Sequence, residues 1–281
     1  MGAERAQLSF TTLACPDWPL EQVLRRAVEY GYGGVEFRGL LDEVDITLRP
    51  EFRGTRLKET ARLLREAGLK VPALGSSVHC LPPQDSERWR QEDDEFRRYL
   101  EVAAALGSPA IRLFGGTIPD GVSPEDAVKM AGDRLGQLAE AAAEAGTDVV
   151  VESHDSFSRS KDLRAVLQAA NHSGARALWD VFNSQIPGEE TLKDSYEAIK
   201  PWLQHLHIKD GVIKGSRWVY TPMGEGQIAY DDVFAWLKRD GYTGWLSVEW
   251  EKRWHPELAP PEEILPQYAA AIRELWEHAG A

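Results

Sequence analysis

Sulfur is scarce in this chain. Cys15 and Cys80 are its only cysteines, too few for a disulfide framework, and both are expected to stay reduced. Long apolar runs are missing too: no stretch approaches the roughly 18 consecutive apolar residues of a membrane-spanning helix. The polar opening MGAERAQ has neither the basic start nor the apolar core of a secretory signal. These absences predict a cytoplasmic protein that does not engage membranes. Positive charge is in deficit, and a formal net charge of −13 argues against a nucleic-acid partner, because binding phosphates needs a basic surface. A Gly-rich phosphate loop of the kind that opens a doubly wound sheet is also lacking.

What is present is an alternation of short apolar runs and amphipathic segments. Strand patterns fall at 7–13, 34–37, 70–76, 110–114, 148–152, 177–181, 203–208 and 245–249. Helical spacing of apolar residues falls between them, at 20–30, 56–67, 87–106, 125–145, 161–170, 190–199 and 230–240, with a last helix at 261–278. Gly31, Gly68, Gly107, Gly146, Gly174 and Gly241 follow helical runs as C-terminal stops. Ser123 before Pro124 reads as an N-cap, and Ser160 as another. Eight strands each followed by a helix predict a closed (β/α)8 TIM barrel, a single domain over residues 1–281. The 281 residues with 43% hydrophobic content suit such a barrel, which reaches about 250 residues as one domain.

Four of the apolar runs in the second half each deliver one metal-ligand type: VVVES gives Glu152, ALWDV gives Asp180, HLHIKD gives His207 and LSVEW gives Glu249. The intervals of 28, 27 and 42 residues match a strand, a crossover helix and the next strand with its loops. In a barrel, the carboxyl ends of successive strands aim at one point, where the active site lies. Three carboxylates and an imidazole suit one divalent cation, Mn2+ first, with Mg2+, Co2+ or Zn2+ as alternatives. Such an ion would polarise a carbonyl and stabilise an enediolate, while Glu152 and Glu249 flank the substrate, one removing a proton and the other returning it. Asp180 and His207 would be ligands only. Glu251, two residues beyond Glu249, is the rival for its place if the strand register slips.

The pieces GYGGVEFRG, VVVESHD, ALWDVFNS, HLHIKDG and PMGEGQIAYDDVFAWLKRDGYTGWLSVEWEKRW resemble the xylose-isomerase-like barrel superfamily, in particular its sugar phosphate isomerase/epimerase branch, across nearly the whole chain. The resemblance implies a mononuclear metal on Glu152, Asp180, His207 and Glu249. It also implies contacts to substrate hydroxyls from His154 and from Glu36, for which a loop role and an ion pair with Arg38 are the respective alternatives. Asn183 departs from the ketose 3-epimerase pattern, which has a histidine there; an amide can bond a hydroxyl but cannot shuttle a proton.

Further substrate contacts are expected from His79 after strand three, from Lys209 near the mouth and from Arg217 in the loop after strand seven. His205 is expected lower in the barrel. Trp18, Trp179, Trp218, Trp250 and Trp254 fall near strand ends or loops and either stack on sugar faces or fill the core. The expected activity is isomerisation or epimerisation of a small carbohydrate, a keto sugar or polyol ketone. The alternatives are a lyase sharing the same first step, as in keto-inositol dehydration or 3-keto-glycoside elimination, and, more remotely, an AP-type endonuclease or a non-catalytic sugar-binding barrel. An endonuclease of that type needs a trinuclear zinc cluster, for which strand four, AIRLFGG, supplies no histidine. The aromatic stretch 254–268 is a candidate contact for a homo-oligomer.

Overall fold

The computed structural model describes residues 6–81, 86–215 and 217–280. Eight parallel strands curl into one sheet: β1 (Gln7–Thr11), β2 (Gly34–Glu36), β3 (Leu74–His79), β4 (Ala110–Phe114), β5 (Asp148–Glu152), β6 (Ala175–Asp180), β7 (Leu203–Ile208) and, after a hairpin, β10 (Trp245–Val248). Their order, β2-β1-β10-β7-β6-β5-β4-β3, is that of a barrel laid open between β2 and β3. The helices α1 (Leu20–Glu29), α2 (Gly54–Glu66), α3 (Ser86–Leu106), α4 (Pro124–Glu144) and α5 (Ser160–Ala170) follow the first five strands. Next come α6 (Val181–Gln185), α7 (Leu192–Ile199), α8 (Tyr230–Arg239) and α9 (Pro261–His278). None of these helices is long and apolar enough to cross a membrane.

The ladder is open where a fully closed barrel was expected. Only two isolated bridges, Gly34 with Lys70 and Phe37 with Leu74, join β2 to the approach of β3. Pro72 lies between them and has no N–H to donate, so a regular ladder cannot run through it. The same proline explains why β3 begins at Leu74 rather than at residue 70.

Inside the sheet, side chains alternate between the two faces. Ala73, Ala110, Val150 and Leu178 form a small buried cluster apart from the main core, and each lies two residues before Gly75, Arg112, Glu152 and Asp180 respectively. Apolar residues therefore fill the lower barrel on the side of β3 to β6, whereas β7 brings His205 to the level of Leu178. The main core lies between strands and helices, where Trp179, Trp250 and Tyr268 are buried. Trp218 and Trp254 remain exposed. Tyr268 of the proposed oligomer stretch serves its own chain, its hydroxyl bonding the Thr221 carbonyl at 2.8 Å.

Local signals were mostly obeyed. Ser123 caps α4 by accepting from the Asp126 N–H at 3.1 Å. Ser160 instead begins α5 and bonds Ser195 Oγ at 2.6 Å. That helix stops at Asn171, φ 47°, before Gly174 is reached; asparagine tolerates the left-handed turn almost as glycine does. After β7 the chain forms an antiparallel hairpin, β8 (Asp210–Lys214) and β9 (Arg217–Thr221), where a loop was expected. Asp210 fastens the following turn by accepting the N–H groups of Gly224 at 2.9 Å and Gly226 at 3.1 Å. A Cβ at Gly226 would run into that carboxylate, which ties the HIKDG and GEG segments into one device.

Candidate active site

Strand register brings four side chains to one point. Glu152 ends β5, Asp180 ends β6, and His207 stands opposite Asp180 in the β6–β7 ladder. Glu249 follows β10, and its N–H extends the ladder to the Ile208 carbonyl at 3.0 Å. One donor atom from each of the four lies within 4.8 Å of the others, and all four residues are buried. Nδ1 of His207 is 3.3 Å from Oε1 of Glu152 and 3.3 Å from Oε1 of Glu249. Two carboxylate oxygens converging on one imidazole nitrogen require positive charge between them, either a proton or a metal cation.

The imidazole is oriented from behind. Nε2 of His207 is 3.0 Å from Oε1 of Glu36, whose Oε2 meets His205 Nε2 at 2.9 Å and Ser247 Oγ at 2.7 Å. With Nε2–H directed at Glu36, Nδ1 is the nitrogen that faces the cluster. Burial opposes the charge of Glu36, but His207 and His205 hold its carboxyl well below the usual carboxylate range. Glu36 is therefore fully buried behind His207 with both oxygens engaged rather than turned to a sugar hydroxyl, and among the described residues it forms no ion pair with Arg38, contrary to both sequence expectations. His205 sits low in the barrel as expected.

Lys209 is 1% exposed and lies within the cluster rather than at the mouth. Its Nζ contacts Asp180 Oδ2 at 2.8 Å, Glu249 Oε2 at 2.7 Å and Glu251 Oε1 at 2.7 Å. Glu249 and Glu251 accept hydrogen bonds from the ammonium and Asp180 pairs with it by charge alone, so three carboxylates rather than a substrate oxygen or phosphate surround it. Burial works against its charge, yet Asp180, Glu249 and Glu251 keep it firmly protonated. The same contacts settle the Glu249 register: Glu249 faces His207, while Glu251 turns to Lys209 and accepts from Tyr220 at 3.0 Å. Burial, which Lys209 only partly offsets, together with Glu249 and Glu152 pushes Asp180 up to about 7. Glu249 is held well below its usual value, because His207 and Lys209 outweigh its burial. Around Asp180 the negative charges of Glu249 and Glu152 crowd together.

This donor set, three carboxylate oxygens and one nitrogen, fits a hard or borderline divalent ion. The crowding that keeps Asp180 close to neutrality is what an added cation would relieve. Such an ion would be held by Glu152, Asp180, His207 and Glu249.

The sequence pattern of the family described as "Xylose isomerase-like TIM barrel" matches residues 24–275. The chain belongs to that family. A putative hydroxypyruvate isomerase of Streptomyces coelicolor is 25% identical over 231 residues, 75% of this chain and 79% of the relative. A 2-oxo-tetronate isomerase of Pectobacterium atrosepticum is 26% identical over 249 residues, 84% of this chain and 88% of the relative. Among solved structures, the IolI protein with a bound zinc atom superposes with a TM-score of 0.82 at 18% identity, covering 97% of this chain and 99% of that one. Further relatives and structural neighbours of this family member are dehydratases and epimerases.

The remaining expected contacts surround the cluster or miss it. His154, two residues past Glu152, has a partly exposed ring 4.9 Å from that of Phe114, with Nδ1 2.9 Å from Asp155. His79 stacks on the other side of that neighbourhood, 5.4 Å from the Phe114 ring, its Nδ1 at 2.9 Å from Glu92. Asn183 stands in the first turn of α6, where its N–H bonds Asp180 Oδ1 at 2.8 Å and its buried Nδ2 has no partner. Arg217 does not line the cluster: it is exposed at the turn end of the hairpin, paired with Lys214. The residue that the sequence reading overlooked is Arg112, 1% exposed on β4, with Nε 3.5 Å from Glu152 Oε2. An arginine between Ile111 and Leu113 in an otherwise apolar strand was itself the signal, since a buried guanidinium must meet an anion.

Proposed function

We propose that this protein is a divalent-metal-dependent isomerase or epimerase of a small hydroxy-ketone, with Glu152 and Glu249 as its acid/base pair. The observation that carries this reading is the convergence of Glu152 and Glu249 on Nδ1 of His207, 3.3 Å each. When bound, a divalent cation would supply Lewis-acid polarisation of a carbonyl and stabilise negative charge developing beside it. Glu152 and Glu249 are both ionised in this setting, so each is ready to accept a proton from a substrate carbon. Each directs one oxygen to His207 and the other to a fixed cation, Arg112 or Lys209, which locks its orientation. The relatives named as isomerases support the reaction class, and the zinc in the IolI structure supports a metal in this fold. The acidic surface, net charge −13, disfavours a nucleic-acid substrate.

The test is NMR in D2O with Mn2+-loaded protein and a panel of hydroxy-keto acids, keto sugars and inososes. Deuterium incorporation with isomerised or epimerised product supports the reading. Loss of water from the substrate would assign the protein to the dehydratases instead, and no exchange with any compound would refute it.

Two further results are expected. Saturating Mn2+ added to chelator-treated protein should raise the unfolding midpoint, with a stabilisation of about 2.7 kcal/mol at a hundredfold excess over Kd; an unmoved midpoint would mean that the four donors do not bind the ion. Glu36→Gln should weaken Mn2+ binding about 10- to 100-fold in a calorimetric titration, since the carboxylate behind a ligating histidine fixes its tautomer and ring orientation. Unchanged affinity would show that His207 is oriented by something else.

A further inference from the structure

Phe114, the last residue of β4, gathers more positive charge than its surroundings balance. Cζ of Arg112 is 3.8 Å from the ring centroid and Cζ of Arg38 is 5.9 Å from it. Arg38 is 7% exposed and Arg112 is 1% exposed. The backbone brings the two together: the stem of Arg38 crosses Gly75, where a Cβ would lie 2.7 Å from Arg38 Cδ, and Gly75 pairs with Arg112 in the β3–β4 ladder. Among the described residues, no hydrogen bond or ion pair holds the Arg38 guanidinium. Nη1 of both arginines is buried without a partner.

One carboxylate, Glu152, is paired with either guanidinium among the described residues, at 3.5 Å from Arg112 Nε, and its other oxygen faces His207. Glu95, the next acid near Arg38, is turned to the Ser77 N–H at 2.6 Å. Burial, and then the charge of Arg112, lowers the Arg38 guanidinium to about 10, as two like charges side by side require. Buried guanidinium groups without a matching anion are costly to keep. Arg112 shares the inward face of β4 with Ala110, and Arg38 is laid beside it across Gly75, so the two guanidinium groups meet next to Glu152.

We propose that Arg112 and Arg38 form an anion subsite beside Glu152 that takes the carboxylate of the substrate, making the compound turned over a hydroxy-keto acid rather than a neutral sugar. The reacting end of that molecule rests on the isomerase reading; the anion subsite does not. A planar carboxylate matches the guanidinium fork with two parallel hydrogen bonds. Because Arg112 touches Glu152, an anion on its fork is close to the carbon that Glu152 reaches. A carboxylate attached next to a ketone has that short span, whereas a terminal phosphate ester sits farther along the chain.

The test is calorimetric titration of the full-length protein, with and without Mn2+, using D-glycerate, glycerol and glycerol 3-phosphate. D-glycerate should bind at least about 30-fold tighter than glycerol, as expected for charge-assisted paired hydrogen bonds. Arg112→Gln should bring that ratio to within about threefold of unity, a free-energy difference below that of one hydrogen bond. Arg38→Gln, whose side chain lies over Gly75 and near one ring, carries the same test if Arg112→Gln does not fold. A ratio unchanged in the folded variants, or no preference for D-glycerate in the unaltered protein, overturns the proposal. Tighter, arginine-dependent binding of glycerol 3-phosphate would also overturn it, in favour of a phosphate. If the D-glycerate preference holds without Mn2+ and Mn2+ itself fails to bind, the isomerase reading falls while the anion subsite stands.

Discussion

Glu152→Gln and Glu249→Gln will each cut deuterium exchange at the substrate carbon by about a thousandfold or more, within the range expected when a positioned acid or base is lost. Glutamine keeps the volume of glutamate but cannot accept the proton. It also turns an amide toward a group that held a carboxylate: Oε2 of Glu152 is beside Arg112, and Oε2 of Glu249 is 2.7 Å from Lys209 Nζ. The comparison that isolates base chemistry from ion binding is Asp180→Asn, which alters a ligand position but neither of the two glutamates. Excess Mn2+ should restore exchange in Asp180→Asn and fail to restore it in the two glutamine variants, even where they retain bound metal. Near-normal exchange by Glu152→Gln or Glu249→Gln would remove that residue from the acid/base pair.

Lys209→Met should be the most destabilising of the polar substitutions when the protein is free of metal. The ammonium is buried and shared by Asp180, Glu249 and Glu251, and taking one partner out of a buried ionic set costs about 3–5 kcal/mol. For a chain of this size that corresponds to a fall in Tm on the order of 10 °C. The loss has a second signature. With the lysine gone, Asp180 Oδ2 and Glu249 Oε2 lack their cation, so Mn2+ should stabilise Lys209→Met by a larger increment than it stabilises the unaltered protein. Thermal unfolding with and without Mn2+ measures both. An unchanged metal-free Tm, or equal increments, would show that Lys209 does not balance the charge of the cluster.

Much of this arrangement was legible in the sequence, because a parallel strand buried on both faces is an apolar run whose polar last residue stands out. Glu152 and Asp180 were readable for that reason, and the 28- and 27-residue intervals led on to His207. Glu36 was visible but its role was not: a residue at a strand end looks the same whether it meets substrate or holds a histidine from behind, and only the register of β2, β1, β10 and β7 places Ser247 and His205 against it. Lys209 was read as reaching the mouth because sequence gives the face of a strand but not the depth at which a long side chain ends. Arg112 stands alone in an apolar strand, and its anion, Glu152, comes from a neighbouring strand 40 residues on. The hairpin at 210–221 carried its own marks, a Gly-Ser pair between alternating segments, which the long interval to the next strand obscured. Opening between β2 and β3 follows from Pro72, a residue that counting strands does not weigh.

The dry layer of Ala73, Ala110, Val150 and Leu178 bears on how the protein handles protons. Hydrocarbon lies beneath Arg112, Glu152 and Asp180 on this side, while below His207 the polar groups Glu36, His205 and Ser247 continue the chain of contacts. A proton on Glu152 therefore finds hydrocarbon below it and His207 beside it, so it passes across the cluster rather than down its own strand.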